Sequence, residues 1–237
     1  MAETSNNMLP QPTGWDRANL AVKVALSALP VAGSPAAELF AAIIAPPLVR
    51  RRDEWLQSLA DGIGVLSEKI AGFAPEVLAN NEAFVSVAMQ ASRAALQTHQ
   101  KEKLEALRNA VLNVAAGQTL DDDEQVMFLW CIETLTTWHV HILKFLEAPM
   151  RMAAARGART EYSILSGCDL TRPLEESFPE LRGHRDSYDQ IVRDLHARGF
   201  LDSTPDVLHE VMNDAGMAIK RTTKMAGRFL AFIAPPA

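Results

Sequence analysis

His139 and His141 are the histidines that lie nearest each other in this chain. Histidine is the side chain best suited to hold a metal or move a proton near neutral pH. Two residues apart on a helix, however, they point to different faces and cannot chelate one ion as an i, i+4 pair can. His99, His184, His196 and His209 are scattered without a partner pattern. The run Asp121-Asp122-Asp123-Glu124 offers oxygen ligands for a divalent cation. It lacks the alternating ligands and central glycine of a calcium loop, and reads instead as an acidic helix start. Cys131 sits in the apolar phrase Phe128-Leu-Trp-Cys-Ile and reads as core, where a thiolate is disfavoured. No Walker loop, dinucleotide-binding glycine pattern or nucleophile elbow occurs. These residues assign no catalytic, cofactor-binding or metal-binding site, and no cofactor is expected.

Two basic sets remain as candidates for contact. The first, Arg50, Arg51 and Arg52, closes an apolar segment from Ala18 to Leu48 that only Lys23 and Glu38 interrupt. Prolines at 30, 35, 46 and 47 cut that segment into pieces too short to cross a bilayer. In one reading it is a buried helical hairpin and the arginines are a solvated helix start. In the other it meets a protein partner or a membrane surface, where each arginine gains about 1 kcal/mol near anionic headgroups. The second set, Lys220, Arg221, Lys224 and Arg228, has no acid after Asp214 and is the candidate nucleic-acid contact.

The whole-chain charge works against that second use. The net charge is −6, which gives no general field for phosphates. Arg185, Arg193 and Arg198 are balanced by Asp186, Asp189 and Asp194 on one predicted helix. A chain of 237 residues with 6% aromatics and abundant Ala and Leu favours helices packed through small contacts over β-sandwiches. Two cysteines, Cys131 and Cys168, in no metal-ligand spacing predict a reduced, cytoplasmic protein. Met1 to Asn7 shows no basic n-region, so a secretory signal is not expected. Peripheral attachment to the inner membrane is compatible with the arginine cluster.

The elements follow from periodicity and caps. Residues 1–14 read as a disordered arm, and Asp16 to Leu29 as a first helix. A second helix begins at Pro35 behind a Ser34 cap and presents Leu39, Phe40, Ile43 and Ile44 on one face. Pro46-Pro47 opens a third, about 47–71, with a seam of Val49, Leu56, Leu59, Ile63, Leu66 and Ile70 and with Arg52 at the missing step. Gly62 and Gly64 weaken it but allow close approach. Helices follow at about 82–97 behind Asn80 or Asn81, at about 99–116, from about 125, and behind Thr136. The face Lys101, Glu102, Lys103, Glu105, Arg108 reads as solvated. Residues 148–172 read as irregular, and a helix spans about 184–199.

The C-terminal third resembles the close of a winged-helix domain. Leu195-His-Ala-Arg-Gly-Phe-Leu ends a helix at a glycine, and Arg221-Thr-Thr-Lys-Met-Ala-Gly leads into a last apolar helix. That resemblance implies a β-wing between them, with Thr136 to Leu146 as the opening helix. The stretch His99 to Ala116 followed by Glu133-Thr-Leu-Thr-Thr-Trp-His-Val-His-Ile-Leu resembles Abi-alpha-type abortive-infection proteins, over about 95–235. This implies phage-defence or cell-death biology and supplies no catalytic residues. The expected protein is mainly α: a disordered arm (1–14), a helical bundle with an apolar hairpin (15–118) and a winged-helix-like domain (119–237). Its expected function is non-enzymatic, through protein or membrane contacts with a partner or a second copy of itself; the alternative is a winged-helix DNA-binding regulator.

Overall fold

The computed structural model describes residues 35–118, 120–159 and 169–236. The expected arm, the helix at 16–29 and Cys168 lie outside them. Among the described residues the chain is mainly helical, and its only β-pairing is one isolated bridge. It divides into two compact units, one reaching Asp61 and the other beginning at Gly62. The boundary expected after residue 118 falls inside the second unit.

Where the prolines predict a break, helix α1 (Pro35–Lys69) runs on, with Pro46 and Pro47 in its interior. A proline donates no backbone hydrogen bond, so the carbonyls four residues earlier, at Ala42 and Ile43, lose their partners. Ala42, Ile43, Pro46 and Pro47 are all exposed, so water can take up those carbonyls. Most of the expected seam turns inward, with Leu59 and Leu66 buried and Val49, Ile63 and Ile70 half-buried; Leu56 is the exception. Leu56 is 51% exposed, whereas Trp55 and Leu59 are buried in the first unit. Further along, Gly62 and Leu66 continue the same face.

In the second unit, Leu66 and Leu112 are buried with Leu78 and Ala115, and Ile63, Ile70, Phe73 and Phe84 pack around them. Gly62 belongs to this contact. A Cβ there would meet Leu112 Cδ1 at 2.5 Å, so only hydrogen lets the two helices come this close. A 3-10 turn (Pro75–Asn80) leads to α2 (Glu82–Gln97), capped by the Asn81 side chain accepting from Phe84 N at 3.0 Å.

Helix α3 (Lys101–Ala115) is the centre of the unit. Every residue from Asn109 to Ala115 is buried, so this half of the helix has no solvent face. It packs against α2, against α4 (Asp122–Thr134) and against the last helix, α10 (Lys224–Ile233). Phe128 of α4 lies 5.4 Å from Phe229 and 5.8 Å from Phe232 of α10, edge-on and tilted, and Phe200 stacks on Phe229 at 5.1 Å. The acidic run starts α4 as expected, with Asp121 as the cap.

Helix α5 (Thr137–Glu147) follows behind Thr136. The stretch expected to be irregular, 148–172, contains a short helix, α6 (Pro149–Ala155), and the first residues of another, α7 (Thr171–Ser177); the two helices pack on each other. Pro149 at the first helical position and the run of alanines explain α6. Then come a 3-10 turn (Pro179–Leu181), α8 (Arg185–Ala197) and α9 (Asp214–Met217). Gly199, at φ 73°, takes the left-handed conformation that ends α8. Where a β-wing is expected, Leu201 and Thr222 form the single bridge, and Arg221 N donates to Leu146 O at 2.9 Å.

Candidate functional site

The arginine triplet sits in the middle of α1 instead of at a helix start. Arg50 Nε lies 3.6 Å from Glu54 Oε1, with both side chains well exposed. Arg52 pairs with its neighbour Asp53 at 3.0 Å, and Arg51 is half-buried. Exposed pairs of this kind are worth at most about 1 kcal/mol, so a competing anion can displace them. On the preceding turns Leu39 is 64% and Ile43 61% exposed. One helix therefore carries exposed apolar side chains and, about two turns further on, cations.

The C-terminal basic set is differently placed. Lys220 Nζ donates to Glu147 Oε1 at 2.7 Å, and the Thr222 hydroxyl donates to the other oxygen of the same carboxylate. Burial works against the Glu147 carboxylate, but the hydrogen bonds from Lys220 and Thr222 outweigh it and hold its pKa below the usual range. Arg228 donates to Glu124 at 2.7 Å. Arg221 turns inward onto Gly216 O at 2.8 Å and Met212 Sδ at 3.3 Å. Lys224 is exposed. Counting acids only after Asp214 missed these partners, because Glu124 and Glu147 arrive from α4 and α5. On α8, Arg185 pairs with Asp189 at 3.5 Å, and Arg193 Nε donates to Gln190.

Several polar groups that the sequence reading set aside prove to be engaged. Lys103, assigned to a solvated face, is half-buried and donates to Glu133 O at 2.8 Å. Burial pulls its pKa below the ordinary lysine value, with the Glu133 carboxylate opposing. Residues 97–100, Lys103 and Glu133 border a cleft of about 300 Å³ floored by Ala94, Leu107 and Ile132. His139 is buried and closes the start of α5: the Thr136 N–H donates to its Nδ1 at 3.2 Å. Its Nε2 lies 3.5 Å from Asp194. His141, half-buried, reaches Glu102 at 2.9 Å. Burial lowers the pKa of both histidines, with Asp194 and Glu102 respectively opposing it. Cys131 is buried as expected, and burial pushes its thiol up against the influence of Arg198.

Thr171, His209 and Asp189 form a grouping with nucleophile-like residue types. His209 Nε2 is 2.7 Å from Asp189, and Nδ1 is 3.1 Å from Thr171 Oγ1. Yet the Thr171 hydroxyl already donates to Leu208 O at 3.0 Å, so its proton is not aimed at the imidazole as a nucleophile's must be. The network ties α7 to α8. Among the described residues, no three His, Cys, Asp or Glu side chains are placed to hold a metal ion.

No protein-family model matches the chain, and neither a curated protein nor a solved structure is found to be similar to it.

Proposed function

We propose that this is a non-enzymatic helical protein of the abortive-infection, phage-defence type, acting through protein or membrane contacts made by α1. The observation that carries this reading is the order of side chains along that helix. Leu39 and Ile43 are exposed, and Arg50, Arg51 and Arg52 follow within about three turns. Apolar side chains that enter a headgroup boundary, with arginines reaching back to its anionic surface, suit a cytoplasmic protein peripheral to the inner membrane. Among the described residues no single helix is long and apolar enough to cross a membrane. Helices α4 and α5 approach that composition only as a pair bent by 117°, and Phe128, Leu129, Ile142 and Leu143 from them are core.

Flotation with vesicles tests the membrane arm. The chain is expected to float with anionic but not neutral vesicles, and Arg50→Glu/Arg51→Glu/Arg52→Glu to abolish flotation. If neither protein floats, the membrane arm is removed. If the triple variant also leaves self-association and cross-linking unchanged, the contact role of α1 is wrong.

A second reading, a winged-helix DNA-binding regulator, draws support from the succession α5, α7, α8, the Leu201–Thr222 bridge and α10. The charge pairing of Lys220, Arg221 and Arg228 weighs against phosphate contact. A salt series of duplex binding decides it: affinity that ignores both salt and Lys220→Glu/Lys224→Glu would remove this reading.

A further inference from the structure

The cleft beside α3 combines one cation, one anion and an apolar floor. Ala94, Leu107 and Ile132, all buried, form the floor from three different helices. Lys103 and Glu133 both line the cleft, side by side. The Lys103 ammonium has three N–H donors, and its bond to Glu133 O takes one of them. The Glu133 carboxylate is three-quarters buried, and its Oε1 accepts no hydrogen bond. The nearest arginine, Arg93, is 4.0 Å away, beyond hydrogen-bond reach. Both charges are thus partly desolvated and short of partners, a condition that a ligand of matching charge relieves.

We propose that this cleft binds a small zwitterion, a free amino acid with an apolar side chain. The ligand carboxylate takes the unused donors of Lys103. Its ammonium sits beside Glu133 and gives that carboxylate the counter-charge Arg93 supplies only from a distance. Its side chain rests on Ala94, Leu107 and Ile132. A plain carboxylate would meet repulsion from Glu133, and a plain amine would meet repulsion from Lys103. The volume, about 300 Å³, is at the small end of ligand pockets and admits a molecule of this size.

Calorimetry on the full chain with L-leucine, N-acetylleucine and leucinamide tests the three-point arrangement. L-leucine is expected to bind about tenfold or more tightly than either blocked form. Glu133→Gln is expected to weaken L-leucine by a similar factor and to strengthen N-acetylleucine, because the repelling charge is gone. Lys103→Met is expected to abolish leucine binding, and Lys101→Met, one turn-face away on the exposed side of α3, to leave it unchanged. Should Lys103→Met fail to fold for want of its tie to Glu133 O, the isosteric Glu133→Gln variant carries the decision. Equal affinity for the three ligands, or no heat from any of them at millimolar concentration, overturns the proposal.

Discussion

His139 shows how one side chain can serve two elements. Its Nδ1 accepts the Thr136 N–H at the start of α5, and its Nε2 faces Asp194 of α8, with Arg198 and Lys103 also in its field. Burial keeps it neutral more strongly than Asp194 draws a proton in, and burial does the same for His141 among Glu102, Lys144 and Arg156. Both pKa values lie below the ordinary 6.5, so below that pH the unfolded chain binds protons that the fold does not. Their contribution to stability is full above 6.5 and is lost as pH falls through it. Thermal melts from about pH 7.5 to pH 5 are expected to show a falling midpoint, with a shallower slope in His139→Gln/His141→Gln. An unchanged slope would contradict this account of the two histidines. The helix starts at Asn81, Asp121 and Thr136 were legible in the sequence because a capping side chain and the backbone N–H that donates to it are three residues apart. The partners of Lys103 and His139 come from other helices, and no local pattern announces them.

At the scale of elements, α1 holds the sharpest contrast. Gly62 and Gly64 are indistinguishable in sequence, yet a Cβ at Gly62 would meet Leu112 at 2.5 Å and Arg108 at 2.9 Å, while one at Gly64 meets nothing within 4 Å. Gly64→Ala is expected to stabilise the protein by about 0.5–1 kcal/mol through lower unfolded-state entropy. Gly62→Ala gains the same entropy but must displace Leu112, only 1% exposed, and is expected to cost a net ~1–2 kcal/mol. Urea midpoints of the two variants check this, and a stabilised Gly62→Ala would show that the α1–α3 contact is looser than described. The expected break at Pro46-Pro47 and the expected burial of Leu56 failed for one reason, although Leu59 and Leu66 of the same seam are buried. Periodicity weighs residue types, whereas exposure decides whether freed carbonyls are solvated and whether Trp55 or Leu56 turns inward. Helix α6 was missed although Pro149 and its alanines signal a helix start, because seven residues are too few to show a period.

Across the whole molecule, the second unit is held together by contacts distant in sequence. Asn113 Nδ2 lies within 2.9–3.2 Å of the carbonyls of Ala231, Phe232 and Ala234, and Asn109 Nδ2 donates to Ile233 O at 3.0 Å. Two asparagines of the central helix thus satisfy the open carbonyl end of α10. Asn113→Leu takes the donor from the buried Phe232 carbonyl and is expected to cost about 1–3 kcal/mol, read as a lower urea midpoint at constant slope. No loss would mean that water replaces the amide. Composition conveyed the helical class, and caps conveyed most helix starts, but the division at 61/62 did not follow from either. It depends on which helices share a core, and α3 shares one with α10 at the far end of the chain.

The proposed contact role of α1 rests on its first turns having an energetic reason to leave water. Ahead of Pro46, Leu39, Ala42 and Ile43 are exposed and Ile44 and Ala45 only half-buried, so local opening there costs little and amide exchange in the free protein is expected to be fast. Hydrogen exchange of residues 36–52, measured with and without anionic vesicles, tests the claim most directly. The account predicts slowed exchange in this stretch with vesicles, and none of that slowing in Arg50→Glu/Arg51→Glu/Arg52→Glu. Exchange that is unchanged by vesicles, or slowed equally in the triple variant, would contradict a membrane contact through this helix.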